Sequence, residues 1–394
     1  MTKREVQKVA LQLMTIFFVI YIFIQVAVTL FYSIIGFEPY GAPTNNDSVY
    51  YHKQASLIAQ SGDFSHAKLA FEYIVGSIYY ICGAELGPYA YKLFISIIAS
   101  VNVYLIILIL GVICINNGVE KKFFNKWSMI ISGLLLIYPT YNFFVLNIYR
   151  DLILVLGSLL FVYTFLAIFI YKTSKRTEYL LFVLSTLLVF ILRPYFGIMI
   201  VATIVIYVFS NKKYFTVKNI SAISIFVLIT GLVLNFTKFG LFGVNYWSAL
   251  ANIESVENYR QSSSRGGLSL NIDINFRNPL LFVPTYMHAF IVNHIYPLPT
   301  YFKNIASILF SPENLIITYM GLHLLKNLRS KLKEYKELKF LIIYYLLNVG
   351  LIVGFSDNIG TNIRLRMVFV ICLFIMYVIS KMYYRKSSVG SSKA

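Results

Sequence analysis

Val9–Ser33, VALQLMTIFFVIYIFIQVAVTLFYS, contains no charged residue and exceeds the roughly 20 residues an α-helix needs to cross a bilayer core. It lacks the small-residue cleavage pattern of a signal peptide, so it predicts a permanent first span. Similar apolar runs recur throughout the 394 residues, which are 58% hydrophobic and only 13% charged. That balance excludes an ordinary water-soluble globule. The predicted fold class is all-α, a polytopic transmembrane helical bundle.

Working outward from the first run, candidate spans fall at about 9–33, 88–115, 128–145, 152–171, 178–192, 195–210, 219–237, 305–325, 339–355 and 366–383. Phe71–Cys82 and Leu280–Ile295 are apolar but too short to span. Charge decides their status. If neither crosses, one side receives 22 of the 34 basic residues and the other 11 of the 16 acids, as the positive-inside rule requires. The expectation is therefore about ten spans in the cell membrane, both termini cytoplasmic, with the two short pieces as interfacial or re-entrant helices in the outer loops, 34–87 and 238–304. Residues 1–385 form a single transmembrane domain and the Ser/Lys-rich tail, 386–394, is disordered. The net charge of +18 follows from loop placement and implies no nucleic-acid partner. Cys82, Cys114 and Cys372 lie in apolar runs without disulfide or metal-site spacing.

This topology gathers the unusual polar residues on the outer face. Asn45-Asn46-Asp47-Ser48-Val49-Tyr50-Tyr51 follows the first span and opens a helical run. A carboxylate at a membrane interface must be solvated, paired or used. Asp47 there suits either a helix N-cap or a base for chemistry on a lipid-anchored substrate, with Tyr50 and Tyr51 as candidate substrate contacts. Arg150-Asp151 opens the 152–171 span after Pro139 has broken the preceding helix. The pair serves as an interfacial anchor and cap, or as a second acid beside a phosphate-binding guanidinium. Arg193, before Pro194, and Arg364, before the last span, are candidate phosphate contacts that alternatively snorkel to the interface. Arg265, in Arg260-Gln261-Ser262-Ser263-Ser264-Arg265-Gly266-Gly267, sits in a loop able to fold over a pyrophosphate, although it lacks the strand-to-helix context of a P-loop. His288 and His294 have the wrong spacing for one helical face, so no metal site is predicted, and no cofactor is implied.

The early acid in Asn46-Asp47-Ser48-Val49-Tyr50-Tyr51, the helix Phe71–Gly83, the stretch from Tyr138-Pro139 to Arg150-Asp151, Leu192-Arg193-Pro194-Tyr195 and Ile363-Arg364-Leu365-Arg366 together resemble the polytopic glycosyltransferases of the GT-C superfamily. The likeness is to bacterial cell-envelope members that use polyprenyl-linked sugars. It covers about two thirds of the chain and implies Asp47 as catalytic acid/base and Asp151 as candidate second acid. Arg150, Arg193 and Arg364 are implied as phosphate contacts, and a polyprenyl-linked saccharide as substrate. Many members carry a second acid beside the first, where this chain has Ser48. Polymerases of capsular and O-antigen repeat units share the gross layout. A transporter or flippase of lipid-linked oligosaccharide is the alternative class, and a non-catalytic partner of envelope-polysaccharide assembly proteins a third.

Overall fold

The computed structural model describes residues 1–38, 46–67, 69–173, 175–210, 257–258, 260, 272–295, 305–328, 335–356 and 358–391. Every described element is helical. The chain divides into two compact units, Met1–Pro194 and Tyr195–Ala394, where the sequence suggests one domain.

In the first unit, α1 (Lys3–Ile34) starts ahead of its apolar run because a capping box secures its end. Thr2 Oγ1 accepts the Glu5 N–H at 3.3 Å, and the Glu5 carboxylate accepts the Thr2 N–H at 2.8 Å. Between α1 and the next long helix lies a helical hairpin, α2 (Asn46–Ser61) and α3 (Ala70–Cys82), joined through a 3-10 turn at Phe64–His66. The central element is α4 (Gly87–Asn116), which packs against α1, α3 and α7. Its approach to α1 is close: a Cβ built on Gly111 would lie 2.1 Å from a Val6 methyl, so only glycine fits there.

After α4, α5 (Lys121–Leu136) and α6 (Pro139–Leu146) meet at a 61° bend with Pro139 at the first position of α6, the break expected from that proline. Then α7 (Asp151–Phe165) runs on as a π-helical turn, Leu166–Ile170, and α8 (Arg176–Leu192) packs along it. Buried polar side chains tie these helices together through backbone carbonyls. The Gln25 amide of α1 donates to Val145 O in α6, Tyr141 to Ala99 O at 3.0 Å, and Asn102 to Leu152 O at 3.1 Å. The Val145 carbonyl lies in the last turn of a helix, where oxygens otherwise go without intrahelical partners.

The second unit contains α9 (Pro194–Phe209), α10 (Pro279–Ile295), α11 (Ile305–Leu328), α12 (Lys336–Phe355) and α13 (Ile359–Ser391). Both α11 and α12 pack against α10 and α13. The last helix continues to Ser391, into the segment whose composition predicts disorder.

Among the described residues, five helices are long and apolar enough to cross a membrane: Lys3–Ile34, Gly87–Asn116, Asp151–Ile170, Lys336–Gly354 and Gly360–Met382. The bent pair α5 and α6 raises the number to six. The ten expected from the apolar runs is not supported, for three physical reasons. The helices α8 and α9 have only 17 and 16 residues. A 24-residue helix, α11, interrupts its apolar sequence with Pro312, Glu313 and Asn314. The expected span at 219–237 lies outside the described residues. The short apolar pieces, by contrast, form helices at the expected places, Ala70–Cys82 and Pro279–Ile295.

Candidate functional site at the α6–α7 connector

In the first unit the candidate site is organised around the four residues between α6 and α7, Asn147–Arg150. Two neighbours pin this connector. Buried Ser48, in the first turn of α2, accepts the Ile148 N–H through Oγ at 3.1 Å, and the Tyr91 hydroxyl of α4 donates to Tyr149 O at 2.7 Å. Asp47, next to Ser48, is exposed. Its place in the first turn of α2 suits a negative charge, because unpaired backbone N–H groups point that way.

Behind the connector, the beginning of α7 and the end of α8 exchange cations. Arg150, the N-cap of α7, donates from Nη1 to Leu192 O at 3.4 Å, on the last turn of α8. Arg193, the C-cap of α8, places Nη2 3.4 Å from the Asp151 carboxylate on the first turn of α7. The ion pair is enclosed, with 10% of the Arg193 side chain and 1% of the Asp151 side chain exposed. Each charge also lies at the helix end that favours it, the acid at an N-terminus and the cations at a C-terminus.

One end of this unit therefore presents an exposed carboxylate, Asp47, on a helix turn bonded to the connector that ends at Arg150, just before Asp151 opens α7. Arg193 stands behind. An exposed carboxylate can accept a proton, and a guanidinium can hold a phosphate. Asp151, almost fully enclosed against Arg193, is placed to hold that arginine in position.

The two tyrosines divide. Tyr51 is buried and packs edge-on against Phe71 with ring centroids 4.7 Å apart, so it belongs to the core between α2 and α3 rather than to a substrate surface. Tyr50 is 39% exposed, and its hydroxyl donates to the Glu72 carboxylate at 3.1 Å. Glu72 is buried and also accepts the Leu69 N–H at 3.3 Å. Burial, and then the adjacent Glu72 charge, push the Tyr50 hydroxyl up to about 12.

His52, on the same helix, shares a 3.0 Å hydrogen bond with the Tyr79 hydroxyl of α3. Burial, reinforced by Lys53, lowers its pKa from 6.5 to about 4. The folded hairpin thus resists a proton that the unfolded chain accepts readily. Stability is unaffected above pH 6.5 and falls as the pH is lowered from there toward 4. Thermal unfolding of the detergent-solubilised protein across that window should show this decline, and His52→Gln should lessen it.

Of the remaining sequence candidates, Arg364 lies partly buried near the start of α13 in the second unit, and Arg265 lies outside the described residues. Among the described residues no three His, Cys, Asp or Glu side chains gather as metal ligands.

The second unit holds a polar cluster that the sequence reading passes over. Arg366, buried in α13, donates to Asn293 O at 2.5 Å and to the Asn314 side chain, and lies 3.9 Å from Glu313. Asn362 joins through Asn293 and Ser356. An acid flanked by Pro312 and Asn314 inside an apolar helix was the available signal, since charges within such segments are rare and costly. In the first unit, buried Lys92 in α4 was missed as well. It donates to Thr29 Oγ1 at 2.8 Å and lies 5.7 Å from the Tyr32 ring centroid. No protein-family model, curated protein or solved structure matches this chain.

Proposed function

We propose that the chain is a membrane-integral glycosyltransferase acting on polyprenyl (di)phosphate-linked saccharides at the extracytoplasmic face, in cell-envelope or capsular polysaccharide synthesis. Repeat-unit polymerisation is one form of that transfer. The observation that supports it most is that Ser48, the neighbour of exposed Asp47, is bonded to the connector that ends at Arg150, immediately before the Asp151 that pairs with Arg193. In this reading both termini are cytoplasmic and Asp47 faces outward.

The Asp47 carboxylate takes the proton of an acceptor hydroxyl as its oxygen bonds to the anomeric carbon of the donor sugar. The bond from that carbon to the phosphate oxygen breaks, and the departing (di)phosphate keeps the electron pair. Arg150 and Arg193 stabilise the charge growing on that leaving group, and Asp151 orients Arg193. Arg364 and Arg265 are further candidate phosphate contacts. Preorganised cations lower the barrier because they need no rearrangement as charge develops.

A flippase of lipid-linked oligosaccharide is the second reading, favoured by the buried Arg366–Glu313 pair among apolar helices, a placement transporters use. Chromatography of lipid-linked saccharides from cells with and without the gene separates the two. A transferase predicts carriers lacking one sugar when the gene is removed, and a polymerase predicts accumulated single repeat units. Complete units of unaltered size, protected from outside reagents, would instead mark a flippase.

A further inference from the structure

Basic side chains gather at the end of the first unit where α1, α5 and α8 begin. Lys121 of α5 meets Glu5 of α1 at 2.8 Å, across 116 positions of sequence, and Lys3 of α1 reaches Glu178 of α8 at 3.8 Å. Three cations come from the start of α1, three from the start of α5 and three from the junction of α7 and α8, all of them exposed. Against these nine stand three acids, of which Glu5 and Glu178 are engaged by Lys121 and Lys3. Lys122, Lys126, Lys175 and Arg176 have no ion-pair partner among the described residues. At the opposite end of the unit the balance reverses, with four described cations and six acids.

Trp127 sets the height of this cluster. It follows Lys126 and packs on Phe123 with ring centroids 5.9 Å apart, after which α5 runs apolar to Leu136. Tryptophan favours the level of lipid head groups, where its ring meets hydrocarbon and its N–H meets water. The cations of α5 therefore stand where lipid phosphates lie.

Lys172 is an independent sign. Among the described residues it is the one non-glycine residue with positive φ, 55°. It follows the π-helical turn at a left-handed position that ordinarily selects glycine. Attraction to the last carbonyls of α7 offsets part of that backbone cost. Glycine would avoid the cost altogether, so a lysine there points to a use for its ammonium.

We infer that this end of the first unit binds the head groups of anionic phospholipids in preference to zwitterionic ones. A layer of phosphates at membrane height matches cations spread over three helix ends, whereas an acidic protein segment would have to reach all three. Each lysine or arginine near an anionic lipid surface adds about fivefold to the association.

The test is tryptophan fluorescence of the full-length protein in vesicles. Trp127 and Trp247 are its two tryptophans, so Trp247→Phe protein reports from the basic end alone. Phosphatidylglycerol brominated on its acyl chains should quench Trp127 with about a tenfold preference over brominated phosphatidylcholine, and high salt should reduce that preference. Lys122→Gln with Lys126→Gln should lower the preference at least about fivefold, while Lys53→Gln, at the opposite end, should leave it unchanged. Added phosphatidylglycerol should also raise the melting temperature of the detergent-solubilised protein. Lys172→Gly should melt no lower than wild type without that lipid, because glycine accepts the backbone conformation, and should lose part of the rise. Equal quenching by the two lipids, or a preference unchanged in the double variant, would overturn the inference. A full rise in Lys172→Gly would overturn the part assigned to that residue. Relief of the quenching by soluble polyglutamate at equal charge would assign the surface to an acidic protein segment instead, and so overturn the lipid assignment. Lipid binding needs no sugar transfer, so Asp47→Asn protein should behave like wild type in both measurements.

Discussion

Arg193→Ala should accumulate poorly in membranes and unfold at a clearly lower temperature than the wild-type protein. Removing the guanidinium leaves the Asp151 carboxylate enclosed, with 1% of its side chain exposed. Breaking one partner out of a buried pair costs about 3–5 kcal/mol, because the remaining charge has lost its compensation. Other contacts to Asp151, and the positive end of α7, moderate that cost without removing it. Replacing both partners by apolar residues of similar volume avoids the stranded charge. Arg193→Met with Asp151→Leu should therefore regain most of the lost stability, as read by thermal unfolding in detergent.

The double variant separates structure from chemistry. It restores the junction between α7 and α8 but not the cation, so sugar transfer should remain depressed by about 10²-fold, the scale of losing one group that stabilises developing charge. Arg193→Ala with wild-type stability would show that the pair does not secure the junction. A stable double variant with full transfer would remove Arg193 from phosphate binding.

What the sequence reveals and what it hides divide along physical lines. Apolar length made α1 and α4 legible, and Pro139 announced the bend between α5 and α6. The short apolar pieces at Phe71–Cys82 and Leu280–Ile295 were readable as helices because apolar length is a local property. The number of spans was not. An apolar composition shows that a segment is buried or lipid-facing, but α8 and α9 are hydrophobic at lengths below a bilayer crossing.

The site follows the same division. Sequence could nominate Asp47, Arg150, Asp151 and Arg193 as polar residues at helix ends, since each stands at a break in apolar pattern. It could not show that Arg193 reaches back across 42 positions to Asp151, nor that Ser48 meets Ile148 across 100. Those are tertiary contacts. Tyr51 was misjudged for a related reason: adjacent tyrosines at an interface look alike in sequence, yet helical geometry turns one into the hairpin core and leaves the other partly exposed. Glu313 and Lys92 were overlooked because a single charge barely alters the hydropathy of a long run, although its burial makes it conspicuous in the fold.

Asp47→Asn is expected to reduce sugar transfer by about 10²–10⁴-fold, the usual contribution of a positioned general base, while leaving protein abundance intact. The substitution suits separating chemistry from folding. Asp47 is exposed, and asparagine is close to aspartate in size and in its preference for helix N-termini. Asp47→Glu keeps a carboxylate on a longer arm and should recover part of the activity. The decisive measurement is the rate of saccharide transfer from a polyprenyl-linked donor in membranes carrying matched amounts of wild-type and Asp47→Asn protein. Product from the wild type with almost none from the variant is the predicted result. Equal rates from the two proteins would contradict the assignment of Asp47 as the base.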